Sequence, residues 1–330
     1  MQLIEFLIYG KIIIDDIRLR SGEIVRGVLG GGGPQAVFGA RLWHDSVGFL
    51  SRSGDDIEAE HVQTLNELSV DLNGWVRFAG IPTARGNMLY DENEYQLLED
   101  ERGGKLLTKR ESWFKLLGQR LPIPESYQQP RAIHLITEFH DEPMVQDALR
   151  LRQQGALLSL EPILDYQTWH KCDQMLALIK QVDIVSPDWP AASGIAGTQN
   201  PKEVLRYWSK LGPQMATVRH GHHGSYAWDR VHDLFWHIPA VPVDVVDPTG
   251  AGNCYGASAC VGWLKSKEAR VAATYGAVSA QFVVGRVGLP KMTPALRTQA
   301  EQRLAQNLPR ATMLYEDIRT TNCGCKRIST

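Results

Sequence analysis

The sequence predicts an α/β protein with a doubly wound, mostly parallel central sheet. Short apolar runs alternate with helix-length segments, and most of these runs are apolar nearly throughout. Strands of that kind are typical of parallel sheets that carry helices on both faces. The alternation of strands and helices along the chain favours the same architecture.

The predicted strands are the apolar runs, and the predicted helices are the segments between them. The strands are residues 3–10, 46–50, 131–139, 155–163, 182–187 and 214–221. The helices are residues 34–43, 57–68, 142–154, 168–181 and 201–211, followed by two consecutive helices around residues 254–264 and 268–284.

Two segments near the start of the chain interrupt this alternation. Residues 12–27 and 85–99 combine β-type runs with polar turns, so both are predicted to be hairpins. We expect them to form a small β lid beside the main sheet. The lid insertions are placed at about residues 11–28 and 74–100.

Residues 1–310 are expected to fold as one domain, and residues 311–330 to form a C-terminal tail. A chain of 330 residues is long enough to bury a large core without disulfides or metals. Residues 103–130 are charged and contain proline, and we expect them to be irregular. The aromatic-rich residues 228–244 are expected to pack in the core or sheet.

The composition argues against several classes of protein. The net charge of −2 gives no general attraction to nucleic acid or to an anionic membrane. No run approaches the roughly 18 apolar residues of a membrane span, and the apolar start lacks the features of a secretory signal. The five scattered cysteines indicate reduced thiols in a cytoplasmic protein. The CxC pair Cys323 and Cys325 could be a metal or redox site, or simply part of the tail.

The segment DPTGAGN, residues 247–253, is the strongest candidate for a binding site. It is a glycine-rich turn that precedes a predicted apolar helix. Glycines let backbone N–H groups converge, and the helix adds the positive end of its dipole, so this turn favours an anion. The alternative is a strand-to-helix turn whose glycines only relieve steric crowding.

Three further segments place candidate residues at predicted strand ends, where ligands bind in open α/β sheets. Residues 30–40 open a helix with four glycines, which leaves room for a ligand close to the backbone. Asp15 follows a strand and could accept hydrogen bonds from substrate hydroxyls. Gly221 and Gly224 could lie against a ring or a phosphate. Taken singly, each segment could equally be a flexible loop or a solvated turn.

The order of these segments resembles the PfkB, or ribokinase-like, carbohydrate kinases. A strand followed by Gly-x4-Asp, a glycine-rich turn before a helix, VGFLSRSGDD, a lid hairpin and DPTGAGN occur between residues 3 and 289. TARGNMLYDENEY, LSLEPI and VDIVSPDWP are most similar to the fungal and plant branch typified by the yeast maintenance-of-killer protein, which tends to carry Asn in the late motif. The resemblance implies a ribokinase-like three-layer α/β/α sandwich with a β lid, and ATP-dependent phosphorylation of a hydroxyl group.

The same resemblance implies cofactors and partners. ATP and Mg²⁺ are expected, with a monovalent cation such as K⁺ assisting. The expected partner is a small-molecule substrate such as a sugar, a nucleoside or a secondary metabolite. Homodimers that form through the lid are common in the family, so a homodimer is a further expectation; nucleic acid and membrane are not.

The family's functional positions can be carried over residue by residue. The expected catalytic residues, in the turn that receives the transferred phosphoryl charge, are Asp247, Gly250, Ala251, Gly252 and Asn253. The expected substrate-binding residues are Asp15, Gly31, Gly32, Gly33, Gln35 and Arg85. The expected nucleotide-binding residues are Arg219, Gly221 and Gly224, and the metal candidate is Asp188.

Three polar roles of the family are altered in this chain. Asn253 stands where the family carries its catalytic Asp. Asp188 and Ala191 replace the Asn and Glu of a motif that organises metal and phosphate, and Ala36 replaces an Asn of the substrate loop. A carboxamide can orient a hydroxyl but cannot take its proton, and general base catalysis contributes about 10²–10⁴-fold. A slow or specialised kinase is therefore predicted, because phosphoryl transfer depends mainly on positioning and charge stabilisation.

Two alternatives stay open on the sequence. One is a ribokinase-fold enzyme repurposed for dehydration, cyclisation or isomerisation of a small metabolite, without nucleotide or metal. Its candidate proton handlers are Asp15, Asp247, Glu94, His220 and Cys254, although Glu94 and Cys254 are more simply read as turn or cap residues. The other is a non-catalytic pseudokinase that keeps nucleotide or metabolite binding.

Overall fold

A computed structural model describes residues 3–91, 108–164 and 172–314. The strands in these residues are β1 (Phe6–Tyr9), β2 (Ile13–Arg18), β3 (Ile24–Gly30), β4 (Val47–Gly54), β5 (Trp75–Phe78), β6 (Ala84–Met88), β7 (Ala132–Thr137), β8 (Leu157–Pro162), β9 (Ile184–Val185), β10 (Met215–Arg219), β11 (Ser225–Asp229), β12 (Phe235–Ile238) and β13 (Thr312–Met313). The helices are α1 (Gly33–Trp43), α2 (Ala59–Glu67), α3 (Arg110–Leu117), α4 (Pro143–Gln153), α5 (Cys172–Ile179), α6 (Trp189–Ala196), α7 (Pro201–Ser209), α8 (Ala251–Ser266), α9 (Ala269–Val284) and α10 (Pro294–Asn307).

A ten-stranded sheet forms the centre of the molecule. Its order is β13-β12-β11-β10-β9-β8-β7-β1-β4-β5. The strands from β10 to β5 are all parallel to their neighbours, whereas β11, β12 and β13 extend the sheet antiparallel. The prediction of a mostly parallel sheet is confirmed.

The central strand β1 shows why this sheet must be covered on both sides. Phe6 and Ile8 point into one hydrophobic core, which they share with residues of α1, α8 and α9. Leu7 and Tyr9 point into a second core, shared with residues of α4 and α7. Because successive side chains of a strand alternate between faces, a strand that is apolar throughout needs a helical layer on each side. The result is the expected three-layer α/β/α sandwich.

The small β lid is a separate three-stranded sheet in the order β3-β2-β6. The first predicted hairpin is present as β2 and β3, which pair antiparallel. The second lid insertion, placed at about residues 74–100, is divided between the sheets: β5 is an edge strand of the central sheet, and β6 joins the lid, parallel to β2. Of the hairpin predicted at residues 85–99, only the first part is described, and it contains β6. Residues 92–100 of this segment, including Glu94, lie outside the described residues.

Other parts of the chain also correct the sequence-based expectations. Helix α3 lies in the stretch predicted to be irregular, with Trp113, Leu116 and Leu117 buried on one face. This spacing is that of an amphipathic helix. The predicted tail begins too early, because β13 pairs with β12, while Cys323 and Cys325 lie outside the described residues. Helices α6 and α10 were not predicted. In the described residues, no helix is both long and apolar enough to cross a membrane.

Helices α1 and α8 approach closely at Gly39. A Cβ at this position would stand 2.5 Å from the carbonyl oxygen of Cys254 and 2.8 Å from Oγ of Ser258. We expect Gly39→Ala to lower the free energy of unfolding by about 1–3 kcal/mol, because overpacking outweighs the better helix propensity of Ala. Urea unfolding measures this change.

The control is Gly118→Ala at the end of α3. Gly118 has φ −70°. The nearest atom to a Cβ there is 3.3 Å away. This variant should be close to neutral. Equal stability of the two variants would contradict the close contact between α1 and α8.

Candidate active site

The turn before α8 is rigid and ends in a helix N-terminus. Oδ1 of Asp247 accepts a hydrogen bond of 2.9 Å from the backbone N–H of Thr249, and both residues are buried. Gly250 adopts φ 76°, a left-handed conformation that favours glycine. The N–H of Ala251, the first residue of α8, donates to the carbonyl of Pro248 over 3.2 Å, so it is not available to an anion. The N–H groups of Gly252 and Asn253 have no carbonyl partner within the helix. Such N–H groups form a site for an anion.

The glycine turn before α1 lies directly against this turn. Gly31 and Gly32 adopt φ of 85° and 84°. A Cβ on Gly32 would stand 2.8 Å from the amide group of Asn253, and a Cβ on Gly250 would overlap the side chain of Gln35. The structure therefore brings together two glycine turns that are more than 200 residues apart in the sequence.

Two buried polar side chains border this junction. Asp15 is fully buried, and its carboxylate lies against Gly30, where a Cβ would overlap Oδ2. Gln35 is 3% exposed, and its Nε2 donates to the carbonyl of Leu29 over 3.1 Å. Within the described residues, Oε1 of Gln35 is buried and has no hydrogen-bond donor. Since buried polar atoms are nearly always paired, this oxygen is suited to accept a hydrogen bond from a ligand.

Tyr90 connects the lid segment to the late turn, and the sequence did not single it out. Its hydroxyl donates to Oγ1 of Thr249 over 2.8 Å. Burial raises the pKa of Tyr90 above its usual value, and the nearby carboxylates of Asp247 and Asp15 add to this effect. Tyr90 therefore stays protonated and acts as a hydrogen-bond donor. Nothing in its local sequence predicts a contact with a residue 159 positions later.

Asn253 is held by a buried carboxylate. Its Nδ2 donates to Oε1 of Glu161 over 3.0 Å, and the guanidinium of Arg219 forms an ion pair with the same oxygen. Oε2 of Glu161 lies 3.5 Å from Nε2 of His134. Glu161 and His134 come from the neighbouring strands β8 and β7. Glu161 is a charged residue within a predicted apolar strand, and this is the one signal that could have identified it.

The surroundings of Glu161 keep it charged. Burial alone would raise the pKa of this carboxyl, but the charge of Arg219 and the adjacent ring of His134 outweigh burial, so its pKa is lowered. A carboxylate with a lowered pKa is a weak base. Glu161 is therefore suited to position Asn253 and Arg219 rather than to accept a proton.

Asp188, the metal candidate, has no second carboxylate at position 191, where the family carries its Glu. Asp188 is the N-cap residue of α6, without a side-chain capping hydrogen bond, and the fully buried Ala191 offers no side-chain oxygen. Oε1 of Glu161 already bonds Asn253 and Arg219. In the described part of the chain, no three His, Cys, Asp or Glu side chains are grouped so that they could hold a metal. Burial raises the pKa of Asp188, and the charge of Arg219 partly offsets this rise.

The predicted nucleotide loop is a short 3₁₀ turn at Gly221–His223. Gly224 adopts φ 91°, and a Cβ there would overlap the carbonyl oxygen of Ile238. The ring of His220 stacks on Trp189 with 4.1 Å between centroids and 9° between planes. Burial lowers the pKa of His220 to about 4, and His223, His222 and His237 contribute further.

We expect His220 to make stability depend on pH. The unfolded chain binds a proton at a pKa of about 6.5. The folded protein does so only near pH 4. The stabilisation is therefore present above pH 6.5 and is lost as the pH falls towards 4. Because the ring is half-exposed, we expect a loss of about 1 kcal/mol between pH 7 and 5.

Urea unfolding at pH 7 and pH 5 measures this effect. His220→Phe keeps an aromatic ring beside Trp189 but cannot titrate, so its stability should change less with pH than that of the wild type. His140→Gln is the control and should retain the wild-type slope. An unchanged slope in His220→Phe would refute the assignment.

Three remaining candidates have contacts of their own. Gly33 begins α1, and its N–H donates to the carbonyl of Lys11 over 3.1 Å. Arg85 forms an ion pair with Glu58. Its role in binding substrate stays a prediction. Cys254 is fully buried in the core, and burial raises the pKa of its thiol. This environment does not suit a proton handler.

Comparison with known proteins identifies the family of this chain. Residues 5–296 match the family described as pfkB family carbohydrate kinase. A cytidine kinase from Thermococcus kodakarensis is 23% identical over 286 residues, covering 87% of this chain and 98% of the relative. Protein MAK32 of Saccharomyces cerevisiae is 24% identical over 328 residues, covering 88% of this chain and 86% of the relative, consistent with the predicted branch.

The fold is also that of a solved kinase structure. The structure of a ribokinase II from E. coli with ATP and Mg²⁺ covers 92% of this chain and 100% of its own, with a TM-score of 0.72 and 16% identity. The match of the family model over most of the sequence is decisive for membership. This chain belongs to the pfkB family of carbohydrate kinases.

Proposed function

We propose that this protein is a slow, ATP-dependent kinase that phosphorylates a hydroxyl group of a small molecule. One observation carries the proposal: the turns at Gly32 and Gly250 meet beside Asn253 and the unpaired oxygen of Gln35. The N-terminus of α8 offers N–H groups to the transferred phosphoryl group. Asp15 and Gln35 offer hydrogen-bond acceptors to the hydroxyl groups of the substrate.

In the proposed reaction the substrate oxygen attacks the γ-phosphorus of ATP. A new P–O bond forms, the bond to the bridging oxygen breaks, ADP leaves, and the hydroxyl proton passes to solvent water. Asn253 can orient the hydroxyl through its amide but cannot take the proton. The missing base accounts for a rate about 10²–10⁴-fold below that of a kinase with a carboxylate at this position. Preorganised N–H groups still stabilise the transferred charge.

We propose a polyhydroxylated substrate, with nucleosides tested before sugars. Asp15 and Oε1 of Gln35 are both acceptors, which matches substrate hydroxyls as donors. The similarity to a cytidine kinase supports nucleosides as the first class. ATP is the proposed phosphoryl donor and Mg²⁺ enters with the nucleotide, while K⁺ and a homodimer through the lid stay predictions.

The test is direct detection of the phosphorylated product. Purified protein is incubated with ATP, MgCl₂ and a panel of nucleosides and sugars, and the product is identified by mass spectrometry beside ADP release. The proposal would be supported if ADP formed only when a nucleoside or sugar is present, in an amount equal to that of the phosphorylated product. Stabilisation by ATP without product for any acceptor would favour the pseudokinase. Turnover of a metabolite that requires no nucleotide would favour the repurposed enzyme.

A further inference from the structure

A guanidinium lies beside the anion-binding turn. A Cβ on Gly252 would overlap Nη1 of Arg219, so the arginine lies directly over the first turn of α8. The helix N-terminus there is already positive. Two positive groups in contact are stable only where negative charge lies near both of them. Glu161 supplies one such charge.

Glu161 fixes the arginine without using all of its donors. In the part of the chain that the structure describes, the guanidinium hydrogen bonds use Nη1, towards Glu161, and Nε, towards the carbonyl of Pro187 at 3.4 Å. Nη2 takes part in neither bond. The arginine side chain is 14% exposed, whereas that of Glu161 is 3% exposed. The guanidinium is therefore the outer member of the pair and can meet a ligand.

A buried ion pair is by itself weak support for stability, because the cost of removing two charges from water offsets their attraction. A role in positioning explains the pair better. Glu161 bonds both Asn253 and Arg219, so it sets the distance between the amide and the guanidinium. An arginine held in this way offers planar, forked donors that match phosphate oxygens.

The same arginine lies where a protein-held divalent ion would be expected. Asp188 pairs with Arg219 along the backbone, and Ala191 lacks the carboxylate that would complete a metal site. A fixed positive charge also repels a divalent cation at short range. The metal-organising Asn and Glu of the family are therefore missing at the place where this chain has an arginine.

We propose that Arg219 binds the phosphates of the nucleotide and supplies positive charge that a protein-organised magnesium ion would otherwise provide. This inference rests on the proposed nucleotide site. It predicts that the protein binds ATP with an affinity that depends little on Mg²⁺. It also predicts that removal of Arg219 makes binding dependent on the metal.

The experiment is calorimetric titration of the full-length protein with ATP, in MgCl₂ and in EDTA. For the wild type we expect affinities within about tenfold of each other. In Arg219→Thr we expect a loss of about 10–100-fold in EDTA and a smaller loss in MgCl₂, as for one charged hydrogen-bonding group. Arg219→Lys keeps the positive charge but not the forked donors, so its affinity for ATP in EDTA should lie between those of the wild type and Arg219→Thr. Circular dichroism confirms that each variant is folded.

Arg77→Thr is the matched control, because Arg77 is exposed on the edge strand β5. It should leave both affinities unchanged. Wild-type binding that requires Mg²⁺, or an equal loss in both buffers for Arg219→Thr, would overturn the inference and leave the kinase proposal standing. Absence of ATP binding by the wild type in either buffer would overturn both.

Discussion

Exchange of the polar groups at positions 253 and 161 is expected to accelerate phosphoryl transfer by about 10²–10³-fold. In the double variant Asn253→Asp/Glu161→Gln, a carboxylate replaces the amide at position 253 and can take the hydroxyl proton. The new amide at position 161 can donate to that carboxylate across the 3.0 Å that now separates Nδ2 from Oε1. The hydrogen bond is kept with its direction reversed, and the net charge of the pair is unchanged.

The single variant Asn253→Asp should gain less, about tenfold. It places two carboxylates at hydrogen-bond distance, which raises the pKa of one of them and keeps that carboxyl protonated for part of the time, so less of the charged base is present. It should also lose about 1–3 kcal/mol of stability, because a buried acceptor loses its donor. Glu161→Gln alone should give no acceleration, since position 253 still carries an amide.

The measurement is kcat for product formation at saturating ATP and acceptor, with product identified directly. Circular dichroism and thermal unfolding confirm that all three variants fold. A folded double variant that is no faster than the wild type would show that proton removal does not limit the reaction. That result would weaken the case for a kinase that lacks only its base.

Gly250→Ala is expected to reduce activity by more than about 10²-fold and to lower the free energy of unfolding by roughly 2–4 kcal/mol. The residue has φ 76°, which costs a non-glycine residue about 1–2 kcal/mol. The added methyl group would also overlap the side chain of Gln35. Movement of either group changes the junction of the two glycine turns, and misplacement by about 1 Å can cost about 10²-fold in rate.

Gly80→Ala separates these two causes. Gly80 has φ 70°, but no atom lies within 4 Å of where its Cβ would stand. It should therefore show the conformational cost alone, about 1 kcal/mol, with activity unchanged. Urea unfolding and ATP turnover measure both variants. If Gly250→Ala were no worse than Gly80→Ala in either respect, the contact with Gln35 would have no role in the site.

The sequence predicts the fold well because its signals are local. Residues 3–10 are apolar at nearly every position, and that pattern requires two covered faces wherever the strand lies. The late turn is equally readable, since closely spaced glycines before an apolar helix leave few alternatives. The left-handed φ of Gly250 is the expected consequence.

The contacts across the site could not be read in this way. Glu161 meets Asn253 across 92 positions of sequence, and Tyr90 meets Thr249 across 159. Such pairs depend on which strands become neighbours, and a single sequence does not give that order. The placement of β5 and β6 in different sheets could not be predicted for the same reason. Helix α3, in contrast, could have been predicted, because the apolar residues Trp113, Leu116 and Leu117 have the spacing of an amphipathic helix.

The close packing of α1 against α8 has a consequence for synthesis of the chain on the ribosome. Nearly every residue of α1 is buried in the finished protein, and Gly39 fits against Cys254 in α8. More than 200 residues must be translated before that partner emerges. During this interval the nascent chain carries an apolar helix without its cover, which is the type of surface that chaperones recognise. Production of the protein should therefore depend on chaperone supply more strongly than its final stability suggests.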